Sequence, residues 1–212
     1  MNVQGIIFDL DGVIVSTDHY HYLGWKKIAD EEGIAFNETI NNRLRGVSRM
    51  ESLAIILERA DKSYSEEEKV ALASKKNGYY VEYLSDLNAS HILDGVQELL
   101  PGLKERNIKI AIGSSSRNAK LILEKIGLLH SFDAIADGSE IKNSKPDPEV
   151  FLLAAQKMGL EPAQCAVVED AISGIDAANA ANMISIAVSD AKTYDKAAYR
   201  LDGVEELLLL LG

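Results

Sequence analysis

The hydrophobic and polar positions of this chain follow two patterns, and the change from one to the other falls near residue 88. Between residues 17 and 87, apolar residues recur three and four positions apart, which is the spacing of one helix face. The clearest examples are Tyr22, Trp25, Ile28 and Ala29, then Leu53, Ile56, Leu57 and Ala60, then Val70, Ala73, Tyr80, Val81 and Leu84. This stretch contains no convincing strand and is predicted to be helical.

After residue 88, short apolar runs alternate with amphipathic segments. Strands are predicted at residues 5–8, 108–113, 134–136, 166–168 and 184–188, the last being the final strand of the chain. Helices are predicted at residues 95–105, 118–126, 149–158 and 173–181. Strands separated by helices are typical of an α/β fold. We therefore predict a Rossmann-like parallel sheet core with helices on both faces.

The helical stretch interrupts this alternating pattern after its first strand. We therefore predict a discontinuous core domain, residues 1–15 and 88–212, and a small helical cap domain, residues 16–87, inserted into it. Ligands of such sheets bind beyond the carboxyl ends of the strands. The polar residues that follow each strand are therefore the candidates for function.

Composition narrows the class of protein. The 212 residues are 47% hydrophobic and carry a formal net charge of −11, with a sequence pI of about 4.8. This charge argues against nucleic acid or an anionic membrane as a partner. The single cysteine, Cys165, excludes an internal disulfide and fits a reducing compartment. No signal peptide is recognisable and the longest apolar run, residues 207–211, is too short for a bilayer, so we expect a cytoplasmic protein. The acidic surface and the lack of a spare apolar element predict a monomer.

Two aspartates follow the first predicted strand. Asp9 and Asp11 lie two positions apart, so they begin on the same face as the chain leaves the sheet, and Gly12 permits a turn there. Such a pair can share a hard cation, or divide the work of nucleophile and general acid/base. An ordinary Asp-Gly turn is an equally good interpretation of this segment alone.

Polar groups also follow three further strands. Ser114, Ser115 and Ser116 precede a helix and suit a phosphate, although one serine is sufficient as a helix cap. Lys145 lies in a loop stiffened by two prolines, where a solvated surface charge is the alternative. Glu169-Asp170 forms a second acidic pair, which together with the first favours Mg²⁺ over a simple helix cap.

This ordered set resembles the haloacid dehalogenase-like superfamily of phosphotransferases over nearly the whole chain. Its first motif resembles residues 9–12, its second Ser114, its third Lys145 and its fourth Glu169-Asp170. Within the superfamily, three cap segments resemble the β-phosphoglucomutase family. These are the His21-Tyr22-Leu23-Gly24-Trp25 helix, the substrate loop from Arg45 to Ser52, and Lys75-Lys76-Asn77.

The resemblance implies an enzyme that interconverts β-glucose 1-phosphate and glucose 6-phosphate through glucose 1,6-bisphosphate. Asp9 would be the nucleophile and Asp11 the general acid/base. Mg²⁺ would be held by Asp9, Glu169, Asp170 and the Asp11 backbone carbonyl. The transferring phosphoryl group would be held by Ser114, the Ser115 backbone and Lys145. The implied substrate-binding residues are His21, Trp25, Gly46, Val47, Arg49, Ser52, Lys76, Ser116, Arg117 and Asn118. Arg49, Ser116 and Asn118 among them would hold the non-reacting phosphate.

The chain departs from the family pattern at two places, and the sequence leaves alternative roles open for some residues and for the protein. The hinge reads Val15-Ser16-Thr17 where close relatives have Thr-Asp-Thr, and Arg45 replaces a lysine. Cap packing is the alternative for Trp25, and a surface position is the alternative for His21 and Lys76. A Mg²⁺-dependent sugar-phosphate phosphatase, a non-catalytic phosphosugar sensor and a mutase for another sugar are the alternative functions.

Overall fold

The computed structural model describes residues 1–44 and 47–211. Within them, six parallel strands form one sheet in the order β3-β2-β1-β4-β5-β6. The strands are β1 (Gly5–Phe8), β2 (Lys109–Gly113), β3 (Ala134–Ala136), β4 (Cys165–Glu169), β5 (Ile184–Ala187) and β6 (Tyr199–Arg200). The α/β fold with a parallel sheet is therefore confirmed.

Nine α-helices accompany the sheet in the described part of the chain. They are α1 (Asp18–Glu31), α2 (Glu38–Asn42), α3 (Arg49–Leu57), α4 (Glu66–Tyr83), α5 (Val96–Glu105), α6 (Ala119–Lys125), α7 (Glu149–Met158), α8 (Ile172–Ala180) and α9 (Leu207–Leu210). Short 3₁₀ turns lie at Leu84–Asp86, Ala89–His91, Pro162–Gln164, Ser189–Thr193 and Val204–Glu206. None of the helices described is long and apolar enough to cross a bilayer.

The two faces of the sheet pack against different helices. Ile6 and Phe8 of β1 belong to one buried cluster, which includes residues of α5 and α6. Ile7 points the other way, into a cluster with residues of α7 and α8. This alternation is the period of two expected of a strand that is buried on both faces.

The helices between residues 18 and 83 have a hydrophobic cluster of their own, built around Trp25, Ile28, Leu53 and Ile56. Ser48 and Ser65 form capping boxes that begin α3 and α4. Tyr80, near the end of α4, packs instead with the sheet cluster. From this separate packing we infer that residues 16–87 are a cap domain inserted into the core.

The prediction that the chain's last strand is residues 184–188 is wrong. A sixth strand, β6, pairs with β5 through Ile186 opposite Tyr199 and Ala187 opposite Arg200. Both of its residues are exposed, so this short edge strand has no apolar alternation from which to be recognised.

Candidate active site

The central strand delivers the first candidate residue. Phe8, the last residue of β1, pairs with Ile112 of β2 on one side and with Val168 of β4 on the other. The residues that end or follow these strands therefore meet at one edge of the sheet. They include Asp9 after β1, Ser114 after β2, and Glu169 at the end of β4.

Three carboxylates form a buried cluster at this edge. Asp9, Glu169 and Asp170 each place one carboxylate oxygen within 4.8 Å of the others. All three side chains are buried. Carboxylate oxygens are the preferred ligands of hard divalent cations, and like charges at this separation repel one another without a cation. The geometry and the donor chemistry therefore fit Mg²⁺.

Lys145 reaches two members of this cluster. Its Nζ donates to Oδ1 of Asp9 at 2.5 Å and to Oε1 of Glu169 at 2.6 Å, and its side chain is only 1% exposed. Burial alone would lower the pKa of Lys145, but the two carboxylates outweigh it and raise the pKa above its ordinary value. The residue therefore stays a fixed cation beside Asp9.

Asp11 is held by the hinge between β1 and α1. The backbone N–H of Thr17 donates to Asp11 Oδ1 at 2.8 Å, and the Thr17 hydroxyl donates to the same oxygen at 2.5 Å. Since that hydroxyl has one proton, it accepts from Tyr80 Oη, 2.8 Å away. Removal from water raises the pKa of Asp11 to about 7, against the opposing hydrogen bonds from Thr17. A carboxyl with a pKa near neutral can both donate and accept a proton.

A second buried lysine lies on the cap side. Lys76 Nζ is 2.7 Å from His21 Nδ1 and lies over the rings of Trp25 and Tyr80. Burial, followed by the Arg49 charge, lowers the pKa of Lys76 to about 7. Burial, followed by the Lys76 charge, lowers the pKa of His21 well below its usual value. Lys76 and the rings around it favour an anionic or hydroxyl-rich ligand, which would accept a hydrogen bond from Lys76.

The loop after β2 folds back on its own hydroxyls. The backbone N–H of Ser116 donates to Ser114 Oγ at 3.1 Å, and that of Asn118 donates to Ser116 Oγ at 3.2 Å. Ser115 Oγ is buried and has no hydrogen-bond partner among the described residues. A buried hydroxyl of this kind is satisfied when a ligand supplies an acceptor, as a phosphoryl group does.

Arg49 and Asn118 approach one another from the cap and the core. Arg49 Nη2 donates to Asn77 Oδ1 at 2.7 Å, and Asn118 Nδ2 donates to the same oxygen at 2.9 Å. Burial, and then the neighbouring Arg117 charge, lower the pKa of Arg49. Two guanidinium groups near one another favour an anion between them.

One cavity of about 650 Å³ connects these groups. The predicted site residues along its wall are Asp9, Asp11, His21, Trp25, Val47, Arg49, Ser52, Lys76, Ser114, Ser115, Ser116, Arg117, Asn118, Lys145 and Asp170. Glu169 lies buried next to the wall, in contact with Lys145. Gly46 and Arg45 fall outside the described residues. Trp25 both packs in the cap cluster and reaches the cavity.

A family model described as haloacid dehalogenase-like hydrolase matches residues 3–182. The chain belongs to this family. It is 44% identical to β-phosphoglucomutase of Bacillus subtilis (strain 168), an alignment that covers 88% of this chain and 83% of that protein. It is 34% identical to fructose-1-phosphate phosphatase YqaB of Escherichia coli (strain K12), over 87% of this chain and 95% of that protein.

The fold of this family member also matches a solved structure. The crystal structure of β-phosphoglucomutase from Clostridium difficile superimposes with a TM-score of 0.92 and 44% identity, covering 97% of this chain and 93% of that chain. The resemblance noted in the sequence is thereby confirmed. Together with the buried carboxylate cluster, membership of the family implies a Mg²⁺ site.

Several contacts around the site are not predicted by the sequence. Thr17 and Tyr80 are 63 positions apart in the chain, and the sequence shows Asn77 only as part of a basic segment. Ser144, next to Lys145, donates from Oγ to Oε2 of Glu51 at 2.5 Å and so joins core to cap. Only the packing of α3 and α4 against the core brings these partners together.

Two glycines leave room for the carboxylates of the candidate Mg²⁺ site. A Cβ at Gly174 of α8 would lie 1.9 Å from Glu169 Oε1, and a Cβ at Gly12 would lie 2.2 Å from Asp170 Oδ2. Both distances are well below van der Waals contact. Gly12 also has a φ of +79°, which disfavours any side chain at that position.

We expect Gly174→Ala to weaken Mg²⁺ binding on the order of tenfold to a hundredfold, because the Glu169 carboxylate must move. Isothermal calorimetry with Mg²⁺ measures this directly. Gly78→Ala is the matched control, since Gly78 lies in α4 with nothing within 4 Å of an added Cβ. Equal Mg²⁺ affinity in the two variants would contradict the role of Gly174.

Proposed function

We propose that this protein is a β-phosphoglucomutase, which interconverts β-glucose 1-phosphate and glucose 6-phosphate through β-glucose 1,6-bisphosphate. The observation that carries the proposal is that one cavity holds two places suited to phosphate. At one of them Lys145 donates to Asp9, with Ser114 after the neighbouring strand. At the other, Arg49 and Asn118 share the Asn77 oxygen. The 44% identity to a protein of this name supports the same function.

The first half-reaction starts at Asp9. Its carboxylate attacks the phosphorus on O1 of bound β-glucose 1,6-bisphosphate, and the bond to that sugar oxygen breaks, which forms an aspartyl phosphate and glucose 6-phosphate. Asp11, with its pKa near 7, donates a proton to the leaving sugar oxygen. In the second half-reaction Asp11 takes the proton from the 6-hydroxyl of β-glucose 1-phosphate, which attacks the aspartyl phosphate and re-forms the bisphosphate as the bond to Asp9 breaks.

Fixed charges stabilise this transfer. Lys145 holds its ammonium group beside Asp9, where negative charge must be neutralised as the phosphoryl group moves. Mg²⁺ would be held by Asp9, Glu169, Asp170 and the backbone carbonyl of Asp11. When bound, it would offset further negative charge on the phosphoryl group. Ser114 and Ser115 would donate to its oxygens. The cap would exclude water while the bisphosphate turns around.

Phosphorus NMR tests the function directly. The sample contains the protein, Mg²⁺, β-glucose 1-phosphate and a trace of glucose 1,6-bisphosphate as the primer. We expect glucose 6-phosphate to appear without inorganic phosphate. Release of inorganic phosphate instead would identify a phosphatase, and an unchanged spectrum would favour another sugar or a non-catalytic sensor.

We further infer that the protein is a monomer and that its partners are small sugar phosphates. Analytical ultracentrifugation measures the oligomeric state.

We expect Arg49→Ala to lower kcat/KM for the mutase reaction on the order of 100-fold, because a phosphate loses its bidentate partner. Hydrolysis of a small aryl phosphate, which has no second phosphoryl group, should fall much less. Arg43→Ala is the matched control, since Arg43 pairs with Glu58 on the exposed side of the cap. Equal losses on both substrates would contradict the two-phosphate interpretation.

A further inference from the structure

Asn77 occupies a position where the cap and the core meet at the cavity. It lies on α4 and is partly buried. Its Oδ1 accepts two hydrogen bonds, one from Arg49 on α3 and one from Asn118 just before α6. A single amide oxygen therefore connects two cap helices to the loop that follows β2.

The two donors are the side chains proposed to hold the non-reacting phosphate, so the inference below rests on the proposed function. The oxygen of Asn77 satisfies one N–H of each donor. An arginine has five N–H donors and an asparagine amide has two, so both donors keep further N–H groups for a ligand. Asn77 also brings no charge, and among the described residues no carboxylate pairs with Arg49.

We propose that Asn77 is the positioning residue of the second phosphate site. It holds the Arg49 guanidinium and the Asn118 amide at a separation that one phosphate can span, and it leaves the positive charge of Arg49 available for that phosphate. Because Arg49 comes from the cap and Asn118 from the core, the same contact sets the position of the cap at which the phosphate site is complete.

A second contact between cap and core provides an internal control. Ser144 Oγ donates to Oε2 of Glu51, which also accepts from the backbone N–H of Ser48. Removing this contact also removes a hydrogen bond between cap and core, but it leaves the donors of the phosphate site in place. Ser144→Ala therefore separates a general effect on cap closure from a specific effect on Arg49 and Asn118.

The experiment measures the affinity for β-glucose 1,6-bisphosphate by calorimetry, in an Asp9→Asn background that prevents turnover. We expect Asn77→Ala to weaken binding about tenfold, because Arg49 and Asn118 lose their common acceptor. Asn77→Asp keeps the shape and the acceptor but adds a negative charge, so it should weaken binding on the order of tenfold further. Ser144→Ala should change the affinity by less than about threefold.

A merely structural role predicts a different order. Asn77→Asp would then bind like the parent protein, because it restores both hydrogen bonds, and Asn77→Ala would be the weaker of the two. When Asp9 is unchanged and the protein can turn over, we expect Asn77→Ala to raise KM for β-glucose 1-phosphate about tenfold and to change kcat by less than about threefold. Thermal unfolding of every variant verifies that the chain is folded, and Asn77→Ser replaces Asn77→Ala if that variant unfolds.

Three results would overturn the proposal. They are parent-like bisphosphate affinity in Asn77→Ala, an equal loss in Ser144→Ala, and parent-like affinity in Asn77→Asp. If the proposed function is wrong, the unmodified protein will produce no glucose 6-phosphate in the NMR experiment. The calorimetric comparison in the Asp9→Asn background requires only that the bisphosphate binds, so it reports on Asn77 whether or not glucose 6-phosphate is formed.

Discussion

Asp9→Asn should lower the mutase rate by about four orders of magnitude or more, because an amide cannot replace a carboxylate as the attacking nucleophile. The substitution keeps the size of the side chain. It removes one carboxylate from a cluster whose oxygens lie within 4.8 Å, and Lys145 keeps its ion pair with Glu169, so we expect the fold to be retained in the absence of Mg²⁺. Phosphorus NMR and a coupled assay for glucose 6-phosphate measure the loss.

Binding of beryllium fluoride, a mimic of the aspartyl phosphate, provides a second measurement. With Mg²⁺ present, the unmodified protein should show a higher melting temperature on adding beryllium fluoride, and Asp9→Asn should show no change. Asp61→Asn, at an exposed position of the cap, is the matched control and should behave like the unmodified protein. A rate within tenfold of the unmodified protein in Asp9→Asn would mean that another group is the nucleophile.

Lys145→Met should lower the rate about a thousandfold, because the ammonium that faces Asp9 would no longer neutralise charge on the transferring phosphoryl group. The methionine occupies a similar volume, but it loses the cation–π contact that Lys145 Nζ makes with the Phe151 ring. Steady-state kinetics with β-glucose 1-phosphate measures this effect.

The same substitution should also lower the free energy of unfolding by about 3–5 kcal/mol without Mg²⁺, because Asp9 and Glu169 lose the buried charge that lies between them. Added Mg²⁺ should restore part of this stability, which urea unfolding at pH 7 with and without the metal measures. Lys104→Met, at an exposed position in α5, is the matched control. Unchanged stability in Lys145→Met would contradict the proposed balance of charges.

The local sequence predicts much of the sheet edge at which the proposed catalytic residues lie. Apolar runs predicted the strands, and parallel strands bring the residues that follow them to one edge of the sheet, which is why Asp9, Ser114 and Glu169 could be grouped in advance. The burial of Ile6, Ile7 and Phe8 on both faces follows from the same pattern. Contacts along a strand or a helix depend on a period of two or 3.6 residues, which the sequence itself displays.

The cap side depended on contacts that have no such period. Asn77 is 41 positions from Asn118 and 28 from Arg49, and nothing in the local pattern links them. The Tyr80–Thr17–Asp11 chain and the Ser144–Glu51 contact have the same origin. Each requires the end of α4 or the start of α3 to lie against the core, which is decided by packing between distant segments.

The sequence by itself therefore determined the parallel sheet, the inserted helices and the chemical character of the cluster after β1 and β4. The tertiary structure decided that Lys145 lies between Asp9 and Glu169, and that the Asp11 carboxyl is partly buried against Thr17. It also decided that Asn77 joins Arg49 to Asn118. The physical reason is that a residue's type and its place in a strand or helix are local properties. Its burial and its hydrogen-bond partners depend on which distant segments pack around it.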